Sequence, residues 1–153
     1  MCYGDRAVDL FKEGYNCAQA VAVAFSDVMG MEEKTVARMV SSFGGGMGRM
    51  REVCGAVSGM FFALGYLYGY DDPADDKAKM ELYGRVQALA AQFREEHGNI
   101  VCRELLKNPA SDPAPTPRNA EFYAKRPCAR FVYTAAEVMA QFIQEHPLEQ
   151  NNG

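Results

Sequence analysis

From Val53 to Tyr70 the chain is almost continuously apolar, and Gly55, Gly59 and Ala63 recur there every four residues. A spacing of four places all three on one face of a helix, a face with almost no side chain. Such a face calls for close approach by another backbone or a ligand. The chain around it must therefore pack helices at short range.

The remaining pattern agrees. Ala7, Leu10 and Phe11 keep helical spacing ahead of Gly14, and no run of alternating strand residues occurs. A second helix is expected from about Cys17 to Met29, with smooth faces from Ala18, Ala20, Ala22 and Ala24 and a stop at Gly30. A short third one covers Glu32 to Val40, with acids in its first turn. Asp71-Asp72-Pro73 precedes an amphipathic helix over about Ala74 to Glu96, ended by Gly98. Short and long helices follow at about Val101 to Leu106 and Cys128 to Gln144. Between them, Asn108 to Asn119 carries Pro109, Pro113, Pro115 and Pro117 and reads as an extended surface loop. The expected fold is all-α, a single-domain bundle of about six or seven helices over residues 5–145 with a central Gly-rich apolar helix. Residues 146–153 read as a frayed tail.

A chain of 153 residues can bury about 70% of its unfolded surface, so it needs no disulfides to hold a fold. A net charge of −4 argues against nucleic acid or an anionic membrane as partner. The start, with Asp5, Arg6 and Asp9, does not read as a signal peptide, and no stretch of about 18 apolar residues occurs. Cytoplasm is the expected compartment, where thiols stay reduced unless redox or metal chemistry uses them.

That matters because there are five cysteines. Cys17, Cys54, Cys102 and Cys128 each fall where local signals start a helix. Asn16 with Gln19 forms an Asn-type capping box before Cys17; Asn99 is the expected N-cap for the segment of Cys102; Pro127 suits the first turn before Cys128. Cys54 follows a glycine-rich loop and opens the apolar helix. A helix N-terminus offers unpaired N–H groups and partial positive charge, which favour the thiolate that attacks disulfides and binds metals. Taken singly, each cysteine is better read as a small core residue; it is the coincidence of four helix starts that points to a built site. Cys2 matches no such pattern and reads as incidental.

The loop Phe43-Gly44-Gly45-Gly46-Met47-Gly48-Arg49 is the sharpest break in the chain. Its unobstructed N–H groups, with Arg49 and Arg51 behind them, can cradle an anion or sit over a cofactor. Gly44, Gly45, Gly46, Gly48 and Arg49 are candidate cofactor-binding positions, together with Gly55 and Gly59 beside Cys54. The plainer alternative is a tight connection requiring positive φ. No Lys-Ser or Lys-Thr follows the glycines as in a Walker A loop, and the βαβ context of a dinucleotide fingerprint is missing. Arg49 and Arg51 are expected to lower the pKa of Cys54. No Cys-x-x-Cys occurs. His97 and His146 are the only histidines. The acids Asp71, Asp72, Asp75 and Asp76 read as a solvated turn and helix start.

Asn16-Cys17-Ala18-Gln19, the glycine loop, Cys54-Gly55-Ala56-x-x-Gly59, Cys102-Arg103-Glu104-Leu105-Leu106 and Cys128 together resemble the C-GCAxxG-C-C family. These are small bacterial and archaeal proteins named for their cysteines. The resemblance spans about residues 5–143 and places the family's four cysteines on Cys17, Cys54, Cys102 and Cys128. Its glycine signature falls on Gly55 and Gly59; Val53 stands where the family label has glycine. The resemblance implies redox activity as a presumption from the cysteines, with no substrate class attached.

Three functions fit. The first is thiol–disulfide exchange or electron transfer through Cys17, Cys54, Cys102 and Cys128, with Cys17 and Cys54 as the reactive pair and the other two as a second or resolving pair. The second is a four-thiolate site on the same residues for an iron–sulfur cluster or another soft metal. The third is a non-enzymatic helical module whose cysteines only pack. The partner would be a redox protein or small ligand, and a homodimer through the glycine face is a further possibility.

Overall fold

The computed structural model describes residues 2–107 and 109–148. Helix α1 (Tyr3–Lys12) is followed by α2 (Cys17–Ala24), α3 (Ser26–Met29) and α4 (Glu33–Met39). A 3-10 turn (Ser41–Phe43) leads into α5 (Gly44–Met47), a helix by its hydrogen bonds only, since Gly45 and Gly46 are left-handed. Then come α6 (Gly55–Tyr68), α7 (Asp76–His97), α8 (Cys102–Leu106), α9 (Ala120–Lys125) and α10 (Cys128–Glu145). The fold is all-α, with no strand among the described residues. Its helix count exceeds the expected six or seven because several segments are single turns.

Helix α2 explains the smooth face of α6. Ala18, Ala20, Val21, Ala22, Val23 and Ala24 are all fully buried, so α2 is apolar over nearly its whole surface and lies inside the bundle. A Cβ on Gly59 would sit 2.5 Å from the carbonyl oxygen of Ala18, and one on Gly55 would sit 2.5 Å from the Cys17 sulfur. The missing side chains let α2 and α6 touch backbone to backbone. That face is filled from within, which leaves no room there for a second copy. Around this pair, α1 packs on α2 and α10, and α10 closes against α6 and α7. Phe93, Met60, Leu64, Leu89 and Met139 fill the spaces between.

Two expectations change. The helix expected from Cys17 to Met29 breaks at Phe25, whose φ of −100° and ψ of 8° end α2. Its ring, fully buried, stacks on Tyr3 at 4.5 Å, so tertiary packing rather than a local breaker sets the kink. Helix α9 was not expected; Asn119 caps it by accepting from the Phe122 N–H. The proline-rich segment 109–118 has no regular structure, as expected. Of the tail 146–153, residues 149–153 lie outside the described residues. His146 is tied down: its ring stacks on Phe142 and its carbonyl accepts from the Tyr68 hydroxyl at 2.6 Å. Among the described residues no helix is long and apolar enough to cross a membrane.

Candidate functional site

Each of the four cysteines stands at the start of a helix. Cys17 is the first residue of α2, behind the reciprocal capping box of Asn16 and Gln19. Asn16 also donates to the Ser41 carbonyl, which ties this start to the glycine loop. Cys54 is the N-cap of α6, Cys102 opens α8, and Cys128 opens α10 behind Pro127. Asn99 does not cap α8. Its side chain instead accepts from the N–H groups of Ile100 and Val101, and Val101 becomes the N-cap because it is held extended in an antiparallel bridge with Val53. Around that bridge the Cys54 N–H donates to the Ile100 carbonyl at 2.8 Å and the Cys102 N–H to that of Glu52 at 2.6 Å. Two helix starts far apart in sequence are thereby clamped side by side.

Cys17, Cys54, Cys102 and Cys128 all line one small cavity of about 30 Å³, with Arg51 on its wall and Leu105, Leu106 and Phe131 closing it. It has room for a water molecule. All four are free thiols. Cys54 and Cys102 are buried, while Cys17 and Cys128 are half-buried and also line an open groove of about 460 Å³ outside the cavity. Cys2 lies elsewhere, capping α1. His97 is absent from the cavity wall; it hydrogen-bonds Thr134 and packs against Phe93 and Phe131.

Burial dominates the electrostatics. It pushes the Cys54 thiol well above its ordinary value, and negative charge on Cys17 pushes it further; the N–H groups of Ala56 and Val57 oppose. Cys102 is raised by burial against the pull of Arg51. Cys128 is raised to about 12, by burial and then by Cys17, against Arg126 and Arg118. The expectation that its helix start and the arginines would lower Cys54 therefore fails, because desolvation outweighs the helix-start N–H groups and the arginines are engaged elsewhere. Arg51 turns to Cys102 instead, and Arg49 turns away to the proline-rich segment. There its Nε donates to the Asp112 carbonyl and its Nη1 to Thr116.

Arg51 is the unusual residue. It is only 4% exposed. Its Nε donates to the Ala110 carbonyl at 2.8 Å, its Nη1 lies 3.7 Å from the Cys102 sulfur, and its Nη2 is buried without a partner. Among the described residues no carboxylate forms an ion pair with it. A guanidinium stays charged at any ordinary pH, and an unpaired buried charge costs several kcal/mol. The sulfur placed beside it is that of Cys102.

The glycine loop delivers this arginine. Gly45, Gly46, Met47, Gly48 and Arg49 all have positive φ, as does Arg51, so the loop winds left-handed. A Cβ on Gly46 would meet the Cys102 Cβ at 2.6 Å and the Arg51 backbone at 2.8 Å. Gly44, Gly45, Gly48 and Arg49 line the outer groove, Gly55 lines the cavity, and Gly59 lies away from both, against Ala18 and Val21. Sequence reasoning did not single out Arg118 and Arg126, which also line the groove. Among the described residues no group of three or more His, Cys, Asp or Glu side chains is arranged to hold a metal ion. The sulfurs share a wall without converging as ligands.

A family model described as "Putative redox-active protein (C_GCAxxG_C_C)" matches residues 15–142, and the chain belongs to that family. No curated protein and no solved structure matches it.

Proposed function

We propose that Cys17, Cys54, Cys102 and Cys128 form one redox site that works by thiol–disulfide exchange or electron transfer, with Cys17 as the sulfur that meets the partner. The observation that carries this is their shared cavity, drawn from four helix starts and walled by an unpaired buried cation. Packing alone gives no reason to bury Arg51 among thiols.

Exposure divides the roles. Cys17 and Cys128 face the groove, and Cys54 and Cys102 lie behind them. The Cys17 thiolate attacks one sulfur of an incoming disulfide; the other sulfur leaves and takes up a proton. A second cysteine then loses its proton to solvent and attacks the Cys17 sulfur of the mixed disulfide, and the remaining half leaves as a thiol. The protein has lost two electrons and the partner has become two thiols. Burial keeps Cys54, Cys102 and Cys128 protonated near neutral pH, so they act as resolving thiols and not as the point of attack. Arg51 lowers the cost of a thiolate at Cys102 during resolution.

A second reading places an iron–sulfur cluster or soft metal on the same four sulfurs, where metal ligation would deprotonate them and Arg51 would offset the charge. The shared cavity favours it; the lack of converging ligands weighs against it. The cytoplasm, a reducing compartment, suits five free thiols.

The test uses protein purified without oxygen: metal and acid-labile sulfide analysis, then thiol counting before and after hydroxyethyl disulfide. Expected are no stoichiometric metal and a reversible loss of two or four thiols that Cys17→Ser abolishes. Stoichiometric metal lost in Cys17→Ser or Cys54→Ser would install the second reading. Silence in both assays would leave cysteines that only pack.

A further inference from the structure

The groove of about 460 Å³ over Cys17 and Cys128 has a charge opposite to that of the chain. Arg49, Arg51, Arg118 and Arg126 line it and, among the described residues, no carboxylate does, in a protein of net charge −4. Two of the four are spent structurally. Arg118 donates to the carbonyls of Phe11 and Tyr15 and lies over the Phe11 ring, 4.4 Å from its centre. Arg49 is held by Asp112 and Thr116, and the exposed Asp112 carboxylate, 3.9 Å from Nη2, offsets part of its charge. The other two have capacity left. Arg51 keeps a buried Nη2 with no partner. The Arg126 side chain stands against the Phe122 ring with no hydrogen bond or ion pair among the described residues.

Such a groove attracts and orients anions, and its volume falls within the small-molecule range of roughly 300–1,000 Å³. Resting on the redox reading of Cys17, we propose that its substrate is a small disulfide bearing carboxylate or phosphate groups. Arg126 takes the anionic group, and the disulfide lies over the Cys17 sulfur. The anion leaves with the reduced thiol, so the exchange written above is unchanged in atoms and electrons.

The experiment follows thiol loss on the full chain with four probes: glutathione disulfide for carboxylate, coenzyme A disulfide for phosphate, hydroxyethyl disulfide as neutral and cystamine as cationic. Each rate is divided by that of the same probe with a free small thiol, which removes intrinsic reactivity. The expected result is a normalised rate about tenfold higher for an anionic probe than for the neutral one, shrinking at high salt. The faster anionic probe assigns the anion. Arg126→Gln should cut the anionic-to-neutral ratio about threefold or more. Because Arg126 also lowers the Cys128 thiol, the ratio and not the rate is the readout. Arg130→Gln, exposed and outside the groove, should leave the ratio unchanged. Neutral or cationic probes reacting as fast as both anions would overturn the proposal.

Were no disulfide to oxidise Cys17, the redox reading would fail and the groove would be judged by binding. S-methylglutathione or inorganic phosphate should slow iodoacetamide labelling of Cys17, and Arg126→Gln should remove that protection. Absence of protection in the unaltered protein would overturn the groove itself.

Discussion

On α6, Gly55 and Gly59 sit in ordinary helical backbone, and what they contribute is the absence of a side chain: α2 rests on them. In the loop just before, Gly45, Gly46 and Gly48 contribute a sign of φ. The first pair lets the bundle close, with Gly55 also on the cavity wall; the second set shapes the loop that carries Arg51. The surroundings differ in the same way. The α2–α6 seam is apolar and unstrained. The loop also holds Met47, Arg49 and Arg51 left-handed, which costs about 1–2 kcal/mol per residue. It persists because the N–H groups of Arg51 and Glu52 donate back to Gly45 and Gly46, and Arg103 donates to the Arg51 carbonyl. Strain held in place by surrounding bonds is the kind that clusters at functional sites, which fits the redox site proposed beside this loop.

The largest effect is expected at Gly59. Gly59→Leu must push apart two backbones, so denaturant unfolding should show a loss of about 3 kcal/mol or more. An unchanged midpoint would mean the seam is not close-packed. Gly65 lies on the same helix with no neighbour within reach of a Cβ, so Gly65→Ala should gain about 0.5–1 kcal/mol.

Next in size is pH. With Cys128 raised from 9.0 to about 12, the folded state holds a proton that the unfolded chain releases earlier. Its contribution is complete below pH 9 and is lost as pH climbs toward 12. Unfolding followed across that range should show a falling stability, and a shallower fall in Cys128→Ala. A flat profile would deny that the thiol is desolvated.

Arg51→Leu sharpens the contrast between stability and function. Removing an unpaired buried charge should leave stability within about 1 kcal/mol or raise it, while the pH at which Cys102 is alkylated moves up. Large destabilisation with unchanged Cys102 reactivity would make Arg51 a structural strut. A modest effect is expected at Gly48, where a Cβ has room and only the left-handed φ resists. Gly48→Ala should cost about 1 kcal/mol by thermal or denaturant unfolding.

What could be read in advance follows from range. The capping box at Asn16, the stop at Gly30 and the four-residue spacing of Gly55, Gly59 and Ala63 are local signals, and all appear in the fold. The placement of Cys54 beside Cys102 depends on the Val53–Val101 bridge, which joins distant segments and leaves no local trace. Thiol acidity failed for the same reason: a helix start is visible in sequence, whereas desolvation follows from packing. Arg51 was invisible as a buried residue because arginine is ordinarily exposed. Helix α9 is capped locally by Asn119, yet it follows directly on the proline-rich segment, which read as an extended loop up to that residue.

The most direct measurement is disulfide mapping by mass spectrometry on the full chain after graded oxidation. The expected result is an intramolecular bond from Cys17 to Cys54, Cys102 or Cys128, reversed by a dithiol, with Cys2 outside it. All four remaining thiols under excess oxidant, while Cys2 alone is consumed, would contradict a shared redox site.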